Sequence, residues 1–343
     1  MALYVKQSGV WTPVPTLKTK NSGSWAQVQV GFVKVSGVWK QFYVPEVLVT
    51  ITSNTLNVNL QSLFTSGVWS SSAVAKRVVI NPGVIIGSSV PATAALRTGT
   101  GWGGTLTLEN KGEIQGAGGV ANSSAGGHAI LCEAAGMIIR NTGAIRGGGG
   151  GGGKGGNGGA GYYYSTATEG PVYAYPGSPR YQWTSQNGTN INSAYWAGAS
   201  IFGTKSNSNP YTLGAYTYYR GTQQAVDGCD SNGFYCIQHY SIYRQYQQTN
   251  NTSGGAGGNG GRGQGYGQTN ASGSGGSAGG TNAGAGGTGG TGANFGAAGA
   301  TGNSGANGNN GSGTAGTAGG AAGKAISGSS SLTNTGTIQG ATS

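Results

Sequence analysis

Asn110-Lys-Gly112-Glu-Ile114-Gln-Gly116 follows the apolar stretch Leu106-Thr-Leu108, and its pattern Asn-x-Gly-x-Ile-x-Gly recurs at three other places. The other copies are Asn81-Pro-Gly83-Val-Ile85-Ile-Gly87 behind Val78-Val79-Ile80, Asn141-Thr-Gly143-Ala-Ile145-Arg-Gly147 behind Met137-Ile-Ile139, and Asn334-Thr-Gly336-Thr-Ile338-Gln-Gly340 behind Leu332. Each reads as strand, tight turn, strand. Asn and the first Gly tolerate the positive φ of the turn, and the Ile returns to the core. The first three copies stand 29 and 31 residues apart, a repeat length that predicts stacked β-solenoid rungs over residues 46–147. Ala94-Ala-Leu96 and Ala129-Ile-Leu131 supply a second strand to two of these rungs. The fourth copy lies 193 residues beyond the third. It is expected to complete the last rung with residues 330–343 and cover an edge that must otherwise be capped. Residues 148–329 then form one excursion that leaves the rungs and returns.

Glycine dominates both ends of that excursion. Residues 147–161 read GGGGGGGKGGNGGAG, and 254–323 return to Gly with Ala, Asn, Ser and Thr. A flexible linker, a collagen helix and a bundle of polyglycine-II helices compete for these tracts. Gly at 284, 287, 290, 296, 299, 302, 305, 308 and 311 keeps a period of three broken only by Ala293. That period puts glycine on one edge of a three-residue turn, where a neighbouring chain can approach. No proline follows Pro210, which argues against collagen. Ordering a residue costs about 1–2 kcal/mol and a net hydrogen bond returns about 0.5–1.5 kcal/mol, so only a packed array of such helices can compete with disorder. The period of three favours the bundle, with turns expected at Gln268-Thr-Asn-Ala-Ser272 and Thr281-Asn-Ala283.

Between the tracts, residues 162–253 hold 15 of the 18 tyrosines. Tyr mixed with Asn, Ser, Gly and Thr suits a binding surface, since the ring offers contact area at low entropy cost and the hydroxyl a polar handle. About half of these rings are expected in the segment's own core, which has few Leu, Ile or Val. Cys229-Asp-Ser-Asn-Gly-Phe-Tyr-Cys236 reads either as an eight-residue disulfide loop or as two free thiols. A metal on Cys229, Cys236 and His239 lacks a fourth ligand, so no metal site is assigned. Cys132 belongs to an apolar rung.

Residues 1–45 repeat Tyr4-Val-Lys-Gln-Ser-Gly-Val-Trp11 as Phe32-Val-Lys-Val-Ser-Gly-Val-Trp39, with Ser22-Gly-Ser-Trp25 between them. Strand, Ser-Gly turn and strand make a β-hairpin module, and Trp11, Trp25 and Trp39 are expected to share one core. The start of the chain lacks the apolar stretch of an export signal. No run approaches the ~20 apolar residues of a membrane span. The net charge of +11 is scattered, which suits weak attraction to an anionic surface better than nucleic-acid binding. With seven carboxylates and two histidines in 343 residues the chain is poorly stocked for catalysis. Lys154 is followed by Gly-Gly, so the glycine run is no phosphate cradle. No cofactor is expected.

The stretch from Val49-Thr-Ile-Thr-Ser-Asn-Thr-Leu-Asn-Val-Asn59 to Gly116, with a polyglycine run downstream, resembles a module of phage tail proteins. Glycine tracts around a variable segment are similar to the receptor-recognising adhesins at the long-tail-fibre tips of T-even-type phages. The resemblance covers about residues 46–160 and 254–343. It implies a polyglycine-II sandwich with variable loops at its far end that bind an outer-membrane protein or surface glycan of the host, and the fold expected of the whole chain is mostly β and irregular. One 92-residue segment stands where those adhesins alternate many short ones. The receptor-binding candidates are Tyr162, Tyr163, Tyr164, Tyr173, Tyr175, Trp183, Tyr195, Trp196, Tyr218, Tyr219, Phe234 and Tyr235. The expected product is a non-enzymatic virion tail protein made in the host cytoplasm and joined to other tail proteins through residues 1–45, with a homo-oligomer left open. A purely structural tail or spike component is the alternative. A polysaccharide depolymerase is weaker still, because paired carboxylates would have to come from Glu169, Asp227 and Asp230.

Overall fold

The computed structural model describes the chain apart from residues 1–3, 8, 14–16, 29–30, 44–45, 173–180, 187–189, 197–198, 201–208, 228 and 230–235. The described residues are mostly β, with one short α-helix at Ser66–Ser70. They divide into two compact units, residues 1–161 with 253–343 and residues 162–252.

The first unit is built on parallel ladders. One sheet stacks Glu46–Ile51, Ala75–Ile80, Leu106–Asn110, Met137–Asn141 and Ser330–Asn334 in chain order. A second stacks Thr55–Leu56, Ile85–Gly87, Glu113–Gln115, Ala144–Arg146 and Thr337–Gln339. A third stacks Val58–Asn59, Leu96–Arg97, Ile130–Leu131 and Ile326–Ser327. Each turn of chain adds one strand to every sheet, except that the last gives the third sheet only the bridge between Ile326 and Thr342. Parallel register places like residues in columns that fill the interior. Val49, Val78, Leu108, Ile139 and Leu332 form one column. Ile86, Ile114, Ile145 and Ile338 form a second, and Val58, Leu96, Ile130 and Ile326 a third. The residues with full burial among them are worth about 1.5–3 kcal/mol apiece relative to exposure. Cys132 joins this core, and burial pushes its thiol up to about 11.

Two sequence expectations shift here. The first motif copy is out of register, because Ile80 rather than Asn81 pairs with Asn110, and Ile86 rather than Ile85 pairs with Ile114. The cause is the turn itself: Val84 N–H donates to Asn81 O at 3.2 Å, with Gly83 at φ +79°. The turn therefore holds two more residues than in the other copies. The chain also has a rung ahead of that copy, Glu46–Ile51 and Thr55–Leu56, which the motif does not mark. Its corner has no glycine, and Asn54 Oδ1 accepts from Ile85 N–H at 2.8 Å instead.

At the open end of the fourth rung the chain leaves for the glycine segments. Six extended stretches run back and forth, with turns at Tyr266–Gly267, Thr281–Asn282, Phe295–Gly296 and Asn309–Asn310 and the residue 162–252 insertion between the first two. The first of these turns precedes the expected 268–272, and the last two were not expected. Residues 147–160 run through the centre. Gly149, Gly152, Gly155 and Gly158 donate to carbonyls of 264, 261, 258 and 255 at 2.7–2.8 Å. Gly150, Gly153, Gly156 and Gly159 donate to 297, 300, 303 and 306 at 2.9 Å. The third row, 148, 151, 154 and 157, accepts from 323, 320, 317 and 314. Three rows with a step of three serve neighbours on three sides. This accounts for the sequence: a Cβ at Gly152 would fall on the carbonyl of Gly290 and one at Gly153 on that of Thr317, whereas Lys154 and Asn157 are exposed. The stretches and the rungs fall within one compact unit, joined by bonds such as Gly147 N–H to Gln339 O at 2.8 Å.

Residues 4–43 form three separate antiparallel hairpins: Tyr4–Gln7 with Val10–Pro13, Lys18–Asn21 with Ser24–Gln27, and Gly31–Val35 with Val38–Tyr43. Among the described side chains, which leave out that of Trp11, the expected shared Trp core is not found. Trp25 and Trp39 are each 66% exposed, because two strands alone have no second layer to bury a ring.

Candidate functional site

The insertion folds on a 16-residue strand, Ile237–Thr252. Tyr216–Asp227 pairs along one edge, Tyr181–Gln186 with Asn190–Trp196 extends the other, and Gly161–Val172 also pairs with the central strand. Alternation then divides the side chains between two faces. On the first face Tyr218, Tyr240, Ile242 and Ala194 are buried, with Trp196, Tyr211 and Tyr216 packed against them. This aromatic core stands in for the missing aliphatic residues. Tyr218 is therefore a correction to the binding set: at 4% exposure it is core, covered by the Trp196 and Tyr216 rings 6.0 and 6.2 Å away. Arg244 lies over Trp196 and Tyr216 at 4.6 and 4.0 Å from their centroids and pairs with Glu169 at 2.6 Å. Arg220 lies 4.7 Å from the Tyr240 ring. These cations rivet the aromatic layer through their charge over the ring faces.

The second face is half open. Tyr219 and Tyr243 stack at 4.9 Å with an interplanar angle of 3°. Thr217 pairs with Gln245 beside them, and Gln245 Nε2 reaches Thr168 Oγ1 at 3.4 Å. Residues 164–166, 245–247 and Thr217 line an open cleft. Tyr164 is 54% exposed, with the Tyr162 ring 5.3 Å away edge-on, and Tyr163 is 39% exposed. Of the sequence candidates, then, Tyr162, Tyr163, Tyr164 and Tyr219 are accessible at least in part, and Trp196 is half buried in the core layer. Trp183 and Tyr195 lie on strands, but their side chains are outside the described residues. Tyr173, Tyr175, Phe234 and Tyr235 lie outside the described residues altogether. Cys229 and Cys236 form a disulfide, which takes both thiols from the metal arrangement with His239. The roles of Thr217, Gln245 and Gln247 were missed, because the pairing that joins them to residues 164–166 spans some 80 residues of chain.

The N-terminal hairpins form a second exposed surface. Gly9, Gly23 and Gly37 share φ values of +84° to +88°, the positive region that a two-residue hairpin turn demands. Lys6, Lys20 and Lys34 pair across the strands with Trp11, Trp25 and Trp39. Each set is spaced by 14 residues, a threefold repeat partly hidden in the sequence by the divergent middle copy. The Lys34 ammonium stands 5.9 Å from the Trp39 ring, and Phe32 and Val38 are also exposed. A lone two-stranded hairpin is marginal in water, so these faces are suited to a partner surface.

A family model described as phage tail fibre adhesin Gp38 matches residues 46–236. Among solved structures, the gp37-gp38 adhesin tip complex of the bacteriophage S16 long tail fibre is similar at 18% identity, with 87% of this chain and 83% of that chain covered and a TM-score of 0.36. A score of that size fixes no topology. No curated protein sequence matches significantly.

Proposed function

Because the chain belongs to the phage tail fibre adhesin (Gp38) family, we propose that it is a virion tail protein that attaches the particle to its host, without enzymatic activity. The observation that carries this reading is the division of labour in the chain. A glycine-and-ladder scaffold presents an inserted aromatic sheet whose second face is half open, with Tyr163 and Tyr164 exposed. The insertion is read as the part that touches the receptor, an outer-membrane protein or surface glycan.

In the scaffold, the parallel columns are read as a β-solenoid and the six glycine stretches as a polyglycine-II bundle. The step of three in their hydrogen bonds supports the second reading, since a polyglycine-II helix has three residues per turn. The hairpins of residues 4–43 are read as the attachment to another tail fibre protein. Three equivalent Lys-Trp units suit a partner with threefold symmetry.

The test is binding of labelled protein to intact bacteria, with a second protein in which residues 165–250 are replaced by a short Gly linker. Binding by the full chain and its loss in the shortened one are expected. Equal binding by both would move recognition out of the insertion. No binding to any strain that the parent virion infects would leave a structural tail role.

A further inference from the structure

The cleft in the insertion has a volume of about 310 Å³, at the lower end of the ~300–1,000 Å³ usual for small-ligand sites. Its described lining carries no Asp, Glu, Lys, Arg or His. It offers instead the hydroxyls of Ser165, Thr166 and Thr217, the carboxamides of Gln245 and Gln247, and the phenol of Tyr164, while the Tyr246 ring at its edge packs 5.5 Å from that of Tyr216. We propose that this cleft is a subsite for an uncharged sugar unit of a host surface glycan. The proposal rests on the adhesin reading above and narrows its receptor to one chemical class.

Three physical features carry it. A carboxamide both donates and accepts, as a hydroxyl does, so a Gln side chain can meet two neighbouring hydroxyls of a sugar ring at once. An aromatic ring beside such groups gives an apolar wall for the C–H face of the sugar, with its phenol at the rim. Charge points the same way. The insertion holds four Lys and Arg against three Asp and Glu, whereas the rest of the chain holds fourteen against four. The protein's positive field thus belongs mainly to the scaffold, and the cleft has nothing to reward an acidic ligand. A protein receptor would fit differently, since stable protein interfaces cover about 800 Å² per partner around buried aromatic anchors. Here Tyr218 and Tyr240 already serve the insertion's own core.

The experiment applies the full chain to an array of neutral and acidic oligosaccharides. In parallel it is bound to host cells that have been treated with periodate, which cleaves vicinal diols, or with protease. Binding to neutral oligosaccharides, with cell binding lost to periodate and kept after protease, is expected. The Gln245→Ala/Gln247→Ala variant should then lose about tenfold or more in affinity for the neutral sugar, with an unchanged melting temperature. A Thr217→Val variant, which keeps shape and strand preference, should show a loss in the same direction. Cell binding that survives periodate and is lost to protease overturns the sugar subsite and leaves the adhesin reading standing. Preference for acidic oligosaccharides, or neutral-sugar binding unaffected by either variant, also overturns it. Absence of binding to array and cells alike overturns both readings.

Discussion

Asn141 donates from Nδ2 to Asn334 Oδ1 at 2.7 Å, joining two residues 193 positions apart in the sequence. On its other side Asn141 Oδ1 accepts from Asn110 Nδ2 at 2.7 Å. The three amides stack in register at the corner of successive rungs, so the returning chain is held by the same bond that joins its predecessors. Asn141 is buried whereas Asn334 is exposed. Asn141→Ala should therefore cost about 1–3 kcal/mol, the penalty for breaking buried polar pairing, and Asn334→Ala less. Denaturant melts of the two variants give the comparison.

The glycine rows make a contrasting prediction about neighbouring positions. Gly152→Ala places a methyl on the carbonyl of Gly290, and overpacking of this kind costs about 1–3 kcal/mol. Lys154→Ala, two residues on, changes an exposed side chain and should stay within about 0.5 kcal/mol. Thermal melts separate the two, and equal effects would refute the row assignment.

Acid should weaken the third sheet. Glu133 is held below its ordinary carboxyl value chiefly by Arg97, against opposing desolvation, with help from the Gly99 N–H, which donates to Oε2 at 2.6 Å. A depressed carboxyl favours the folded chain above its unfolded value near 4.5. That contribution is lost as pH falls from there through the folded value. Glu133→Gln should be less stable than the parent at pH 7, and the gap should narrow as pH falls below about 4.5 and close as it passes through the lower folded value. Melts across that range provide the check.

Removing the exposed rings at the hairpins should leave the scaffold intact and harm assembly. Trp25→Ala and Trp39→Ala together are expected to leave the melting of the rungs unchanged, since neither ring is buried. Incorporation of the protein into virions should fall at least tenfold, as measured by immunoblot of purified particles. Normal incorporation would place attachment elsewhere.

The ladders were legible because Asn, Gly and Ile recur at corners that impose the same demands on every rung. What escaped was decided by bonds rather than residue types. Asn54 turns its corner with a side-chain acceptor for Ile85 N–H, so no glycine marks the first rung. In the next rung, the Asn81–Val84 turn moves Ile86 inward where Ile85 fits the motif. The period of three in glycine was readable, but turns at Phe295 and Asn309 depend on which stretch lies beside which. In the insertion, alternation along 237–252 divides the side chains into two faces without saying which is covered. Only the pairing of Tyr218 with Arg244, under Trp196 and Tyr216, sends Tyr218 to the core.

The glycine stretches have a thermodynamic consequence. They are held by backbone hydrogen bonds with very little apolar side chain to hydrate when they come apart. Exposed apolar area raises the heat capacity of unfolding by about 0.45 cal/mol/K per Å², and exposed polar area lowers it by about 0.26. Melting of this part of the chain therefore carries a smaller heat-capacity increment per residue than that of an ordinary globular domain, and free energy plotted against temperature bends less. A flatter curve keeps the scaffold's stability more even from cold water to a warm host, the span a particle crosses between one cell and the next.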